Sequence, residues 1–234
     1  MPAMTASATV TSPSQLRLMP FGRAGAHDVK DPIWEPMWGG QRVLAHVLGS
    51  RVTFRDEHDE MLEGYDLLRE SILELAMADE LVLDGYLLPA PLRSTAGVES
   101  PAGMDSLPTP AEVGRQMIFG NRRSQRREEM LVEQARRVSL PSASPTAFIA
   151  VDLLWLDGEP IVDVPLLERK RLLEAVLLDG EIVRRTVAVR PPVEQWYAQW
   201  RAFGFSALAV KGANSRYTPG RPNGEWATTL IPRR

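Results

Sequence analysis

Hairpin-like turns between consecutive strands narrow the folds open to this chain more than any other feature. Val43-Leu44-Ala45-His46-Val47 and Arg51-Val52-Thr53-Phe54 read as two short strands joined at Leu48-Gly49-Ser50. Apolar runs punctuated by Gly-Ser support a hairpin there. Ala147 to Leu156 reads as another strand, with Asp157-Gly158 as its turn. Glu80 to Leu88 has the apolar content of a buried strand, Glu181 to Val189 reads as a strand, Leu208 to Val210 as a central one and the Trp226 segment as the last. Helical spacing marks Tyr65 to Ala78, where Leu67, Leu68, Ile72 and Leu75 are expected to share one face. Gly114 to Val138 and Leu166 to Leu178 read as helices, the latter stopped by Asp179-Gly180. Pro192 to Phe203 is a further helix, started by Pro191 and Pro192, with Val193, Trp196, Tyr197 and Trp200 on its buried side. Strands interspersed with helices, several joined by tight turns, specify an α+β fold rather than a parallel doubly wound sheet. Residues 89–110, rich in Pro, Gly, Ser and Ala, read as a loop inside the domain.

With 234 residues and 44% hydrophobic content, the chain is long enough for one sizeable core, or for one domain with two lobes. It contains no cysteine, which excludes disulfides and Cys-based metal sites. No apolar run reaches the roughly 18 residues of a membrane span. Residues 1–14 are Ala/Thr/Ser-rich, without the basic start and apolar stretch of a signal peptide, and read as a disordered tail preceding a domain over 15–234. A soluble cytoplasmic protein with no membrane partner is the expectation. The net charge of −3 offers no global attraction to nucleic acid. Locally, Arg122 and Arg126 share a helical face, as do Arg123 and Arg127. That stripe is a candidate phosphate contact. Glu128, Glu129 and Glu133 dilute it, so a solvated amphipathic helix is the favoured reading.

Glu35-Pro36-Met37-Trp38-Gly39-Gly40-Gln41-Arg42 resembles the nucleotide-attachment motif of ATP-dependent DNA ligases, K-x-D-G-x-R. The resemblance continues in order along residues 20 to 232. Leu81-Val82-Leu83-Asp84-Gly85-Tyr86 is similar to the ligase L-D-G-E strand, with Tyr86 in place of the glutamate. Phe148 to Gly158 is similar to F-x-x-F-D-L-L-x-L-D-G, and Pro165-Leu166-Leu167-Glu168-Arg169-Lys170-Arg171-Leu172-Leu173 to P-L-x-E-R-x-x-L-L. Gly204 to Lys211 stands where the family has G-x-E-G-x-x-x-K, and Ser215 to Arg221 with Trp226 resembles S-x-Y-x-P-G-R…W-x-K-x-K. The resemblance implies the ligase adenylation fold: antiparallel sheets flanked by helices, with a cleft between them. The small β-barrel (OB-fold) domain that the family adds afterwards is not expected in a sequence that stops at Arg234.

The departures fall on chemistry. Met37 occupies the nucleophile position and Gly39 that of the neighbouring aspartate. A lysine nucleophile attacks the α-phosphate of ATP through its nitrogen lone pair and holds AMP as a phosphoramidate. The Met37 thioether has the length of a lysine stem but forms no stable bond of that kind. Tyr86 and Ser206 replace carboxylates expected near ribose and metal, Val151 replaces an aromatic that would stack on adenine, and Thr228 and Leu230 replace phosphate-binding lysines. Gly40, Gly85, Asp152, Pro219, Gly220 and Trp226 are kept and suit structural roles. Arg42, Arg55 and Lys211 are kept as remnant nucleotide contacts, with Trp38 capping the cleft.

Lysine occurs only at Lys30, Lys170 and Lys211. Lys30 is expected in a surface loop and Lys170 on the solvated face of its helix, so neither is a substitute nucleophile. His46, His58 and the acidic run Asp56, Glu57, Asp59 and Glu60 carry ordinary structural readings rather than a metal site. The leading expectation is a pseudoenzyme: a ligase-like adenylation domain, without catalytic residues or required cofactor, that binds ATP and magnesium weakly at most. It would serve binding or assembly, with a true ligase, another repair protein or nicked DNA as partner. The alternatives are residual or split ATP-dependent ligase or nucleotidyltransferase activity in DNA repair and recombination, and a gene product that keeps a fold without a role.

Overall fold

A computed structural model describes residues 10–89 and 146–232 of the protein. The internal loop over 90–110, the helix over 114–138 with its arginines, and residues 1–9 of the N-terminal tail lie outside the described residues. Two antiparallel sheets organise the rest. The first has the order β1 (Pro32–Pro36), β9 (Ala207–Gly212), β10 (Trp226–Leu230), so a strand from the N-terminal part pairs with the C-terminal hairpin through β9. The second runs β4 (Met61–Leu62), β3 (Arg51–Arg55), β2 (Gln41–Leu48), β5 (Glu80–Pro89), β6 (Thr146–Leu156), β7 (Glu159–Pro160). β8 (Val183–Arg185) joins β6 as its parallel neighbour. The α+β class with antiparallel sheets and few helices is what the sequence led one to expect.

Turn chemistry explains the hairpins. Gly49 at φ 54° follows β2 and lets the chain reverse into β3, while Asp157 and Gly158 both take positive φ between β6 and β7. Asp-Gly is the pair best suited to such a two-residue turn. β5 and β6 are buried along almost their whole length. In β6, Phe148 and Ala150 point into one core cluster, whereas Ile149 and Val151 point into another on the opposite face. The first cluster is closed by α1 (Asp66–Leu75) and α2 (Leu166–Val176), the second by α3 (Glu194–Ala202) and the first sheet.

Three local readings need correction. In α1, Leu68 and Ile72 are buried but Leu67 is 77% exposed. At 100° per residue Leu67 lies roughly 80–140° from the directions of Leu68, Ile72 and Leu75, so it cannot share their face. Strand structure over 181–189 is confined to Val183–Arg185. Beyond it the chain crosses between the sheets: Thr186 N–H donates to Ala150 O (2.9 Å), and Val189 and Trp34 exchange backbone hydrogen bonds (2.8 and 2.9 Å). Lys170 is 8% exposed rather than solvated. Its stem passes along α2 toward the first sheet, where a carboxylate receives it.

Candidate functional site

The segment Met37–Gly40 carries the chain from the first sheet into the second. Its course depends on Gly40, at φ 141°, where a Cβ would lie 2.3 Å from the Leu87 carbonyl oxygen. Met37 N–H donates to Ala207 O (3.0 Å) and its side chain is 2% exposed. It packs on Ala207, with Phe21 and Leu230 against it, and the Tyr86 hydroxyl points at its sulfur from 4.0 Å. Leu230 and Tyr86 thus form walls of the Met37 pocket.

Beside this pocket lies a buried ionic cluster centred on Glu35. This residue is 1% exposed on β1, and β1 pairs with β9, which carries Lys211. Lys211 Nζ donates to Glu35 Oε2 (2.8 Å) and sits 4.4 Å from the Trp226 ring centroid. Lys170, arriving from α2, ion-pairs with Glu35 Oε1 and donates to Val151 O (2.6 Å). Burial pushes the Glu35 carboxyl up, but the ammonium groups of Lys170 and Lys211 outweigh it and hold the carboxyl below 4.5. Burial in turn holds the Lys170 ammonium below 10.5, against the pull of Glu35.

The other retained cations are likewise engaged. Arg42 forms a two-pronged pair with Asp84 (Nε to Oδ1, 2.9 Å), and its Nη1 donates to Met19 O (2.8 Å). Burial opposes the Arg42 charge, but Asp84 beside it raises its pKa well above the ordinary guanidinium value. Tyr217 completes the group by donating to Asp84 Oδ2 (3.0 Å) while accepting from Met19 N–H (2.8 Å). Asp152 is fully buried and bound through both oxygens by Arg169 (2.9 and 2.8 Å). Burial raises its carboxyl, and Arg169 brings it back below 3.8. Arg55 is distant from these groups: it binds Asp59 (2.8 Å) and the carbonyls of Pro13 and Ser14.

Trp38 is buried, donates through Nε1 to Thr186 Oγ1 (2.8 Å) and meets Phe205 edge-on at 5.0 Å. Tyr86, Val151, Leu208, Trp200 and Ile231 share its cluster. Ser206 is exposed, and Thr228 lies on β10 opposite Ala209. The structure therefore brings Trp38 together with Tyr86 and Val151, places Met37 beside Tyr86, and pairs Lys211 with Glu35. It does not bring Arg55 to them. No amine stands at position 37, and the positions flanking it form apolar and aromatic packing. Lys30 is exposed, and Lys170 and Lys211 share one carboxylate. Among the described residues, no group of three His, Asp or Glu side chains converges to hold a metal ion.

Sequence reasoning assigned no role to Glu35 or Tyr217 and placed Lys170 in solvent. The available signal was Glu35 itself, a carboxylate alternating with apolar Ile33 and Met37 and so directed inward with them.

A sequence profile described as ATP dependent DNA ligase domain matches residues 112–228. DNA ligase 1 of Methanosarcina mazei is 25% identical over 199 residues, covering 82% of this chain and 31% of that protein. The DNA ligase of Thermococcus onnurineus is 24% identical over 218 residues, covering 89% of this chain and 32% of that protein. The chain thus spans about a third of the length of these curated relatives. In three dimensions it is similar to the ligase domain of LigD from M. tuberculosis (TM-score 0.59, 20% identity, 94% of this chain and 60% of that one). A mycobacterial DNA ligase D complexed with ATP and MES gives a TM-score of 0.58 at 21% identity, over 92% of this chain and 60% of that one. These solved structures share the fold: antiparallel sheets with few helices, in the arrangement of a ligase adenylation domain. With a family profile covering half its length and ligases as its relatives, the chain belongs to the ATP-dependent DNA ligase family.

Proposed function

We propose that this protein is a catalytically inactive ligase-like adenylation domain, retained for binding or assembly in DNA repair. The observation that carries the reading is Met37, closed in by Phe21, Ala207 and Leu230 at the nucleophile position. Attachment of AMP needs an amine about 3–3.5 Å from phosphorus and in line with the leaving group. The pairing of Lys170 and Lys211 with Glu35 supports the same reading, because each ammonium is already committed to a buried carboxylate. A thioether, a phenol and two aliphatic side chains around position 37 offer a phosphate no compensating charge. ATP and magnesium bind weakly, with a dissociation constant on the order of millimolar.

The test is incubation with labelled ATP and magnesium, followed by denaturation and counting. No protein-bound label is expected. Acid-labile, alkali-stable label on Lys30, Lys170 or Lys211 would instead establish a displaced nucleophile and residual nucleotidyltransferase activity.

The partner in this reading is a true ligase, another repair protein or, weakly, DNA. Arg122, Arg123, Arg126 and Arg127 would supply a non-specific, salt-sensitive contact to the phosphate backbone. Engaging four phosphates on duplex would give a log–log salt slope of about −0.9 × 4. Nicked-duplex binding that survives Ala substitution of all four arginines would assign the partner to the proteins.

A further inference from the structure

We propose that a cavity between α2 and the crossing segment 184–188 binds the phosphate group of a small, hydroxylated phosphomonoester. The cavity has a volume of 580 Å³ and lies outside the Met37 pocket. Small-molecule sites typically measure about 300–1,000 Å³.

Its polar lining carries donors from Lys170, Arg184, Arg185 and Thr186 beside the carboxylates of Glu174 and Asp179. Lys170 and Thr186 both line it, at 8% and 9% exposure. The Lys170 ammonium has three protons. One goes to Val151 O and one faces Glu35, which leaves one to offer. Thr186 Oγ1 accepts from Trp38 Nε1, and among the described residues its own O–H has no acceptor. Arg184 is held in place by Nε, which donates to Gly180 O (3.0 Å); its terminal N–H groups have no partner among the described residues. A point charge, a planar fork and a hydroxyl on one cavity wall match the several acceptor oxygens of a phosphate.

Charge bookkeeping points the same way. Asp179 on the wall is neutralised by two contacts from Arg185 (2.7 and 3.2 Å). Behind the wall, Lys170, Lys211 and Arg169 face only Glu35 and Asp152, all five at 8% exposure or less. That buried cluster carries a surplus positive charge, and a buried charge is costly unless paired. Burial, and then the neighbouring Lys211 ammonium, lower the Lys170 pKa against the pull of Glu35. Glu174, exposed at the rim, suits the hydroxyls of the ligand body, and Leu173 and Val187 its carbon skeleton.

The experiment is calorimetric titration of the intact protein with ribose 5-phosphate, inorganic phosphate and ribose at constant ionic strength. Ribose 5-phosphate should saturate one site, inorganic phosphate should bind the same site more weakly, and ribose should give no saturable signal. Arg184→Ala and Thr186→Val should each weaken ribose 5-phosphate by at least about tenfold, the loss of one charge-assisted contact. Arg221→Ala, an exposed arginine away from the cavity, should leave it unchanged. Saturable ribose binding, unaltered affinity in folded Arg184→Ala and Thr186→Val proteins, or no saturation by either phosphate would overturn the proposal. So would displacement by an unphosphorylated DNA strand at lower concentration, which would make this a nucleic-acid surface. The result is independent of the labelled-ATP assay, because neither Arg184 nor Thr186 touches Met37.

Discussion

The proposed function rests on a single side chain, Met37, packed on Ala207, Phe21 and Leu230. Restoring the amine should not restore the chemistry. Met37→Lys would place an ammonium against the apolar walls of Phe21, Ala207 and Leu230, with the Tyr86 hydroxyl beside it. We expect no AMP attachment and a stability loss of about 3 kcal/mol, the effective cost of an ion buried without a partner. Urea unfolding measures the loss, and label at position 37 in a protein of undiminished stability would show that the pocket admits a nucleotide. Glu35 is the more sensitive residue for folding. Glu35→Gln leaves Lys170 and Lys211 buried without their shared carboxylate, and should cost about 3–5 kcal/mol. A change under about 1 kcal/mol would mean that the lysines shed their protons or reach water instead.

Elements in this fold are held where their buried faces demand. In α1 that face is Leu68 and Ile72, with Leu67 in solvent. Leu68→Ala should cost about 2–5 kcal/mol, the usual range for emptying a packed leucine site. Leu67→Ala should stay within about 0.5 kcal/mol, as surface substitutions do. Equal effects at the two positions would overturn the observed helix orientation. The β1–β2 connection is constrained by backbone instead. Gly40→Ala should cost upwards of about 2 kcal/mol, because its φ of 141° and the 2.3 Å approach to Leu87 O both exclude a Cβ. Thermal melting of the variant checks it. Strand and helix cores were legible from periodicity and turn residues. The 181–189 segment was not, because its residues leave one sheet to reach the other, and apolar alternation reads the same on either side of such a crossing.

For the whole molecule, the buried ion pairs set the response to acid. Glu35 and Asp152 have folded pKa values below their free values of 4.5 and 3.8. A carboxylate depressed on folding contributes stability that is present above its unfolded pKa and is lost as pH falls through the folded one. Stability should therefore decline below about pH 4.5 as these pairs are protonated. The urea midpoint measured from pH 6 downward tests this, and Glu35→Gln should decline less steeply than the parent. Identical profiles would locate the acid sensitivity elsewhere.

The sequence by itself determined the α+β class, the strands over 80–88 and 147–156, the family motifs in their order and the presence of a thioether rather than an amine at position 37. Those properties are local: side-chain periodicity, turn residues and the chemistry of one position can each be read within a short window. The tertiary structure decided which charges meet. Glu35 finds Lys211 across 176 residues, because β1 and β9 are neighbours, and finds Lys170 because α2 aims it at the same carboxylate. It likewise gave Arg42 to Asp84 and Arg169 to Asp152. A lysine in an amphipathic helix looks the same in sequence whether its ammonium meets water or a buried carboxylate. Only the packing of distant elements chooses between them, since burying the charge is tolerable only where the other sheet supplies its partner.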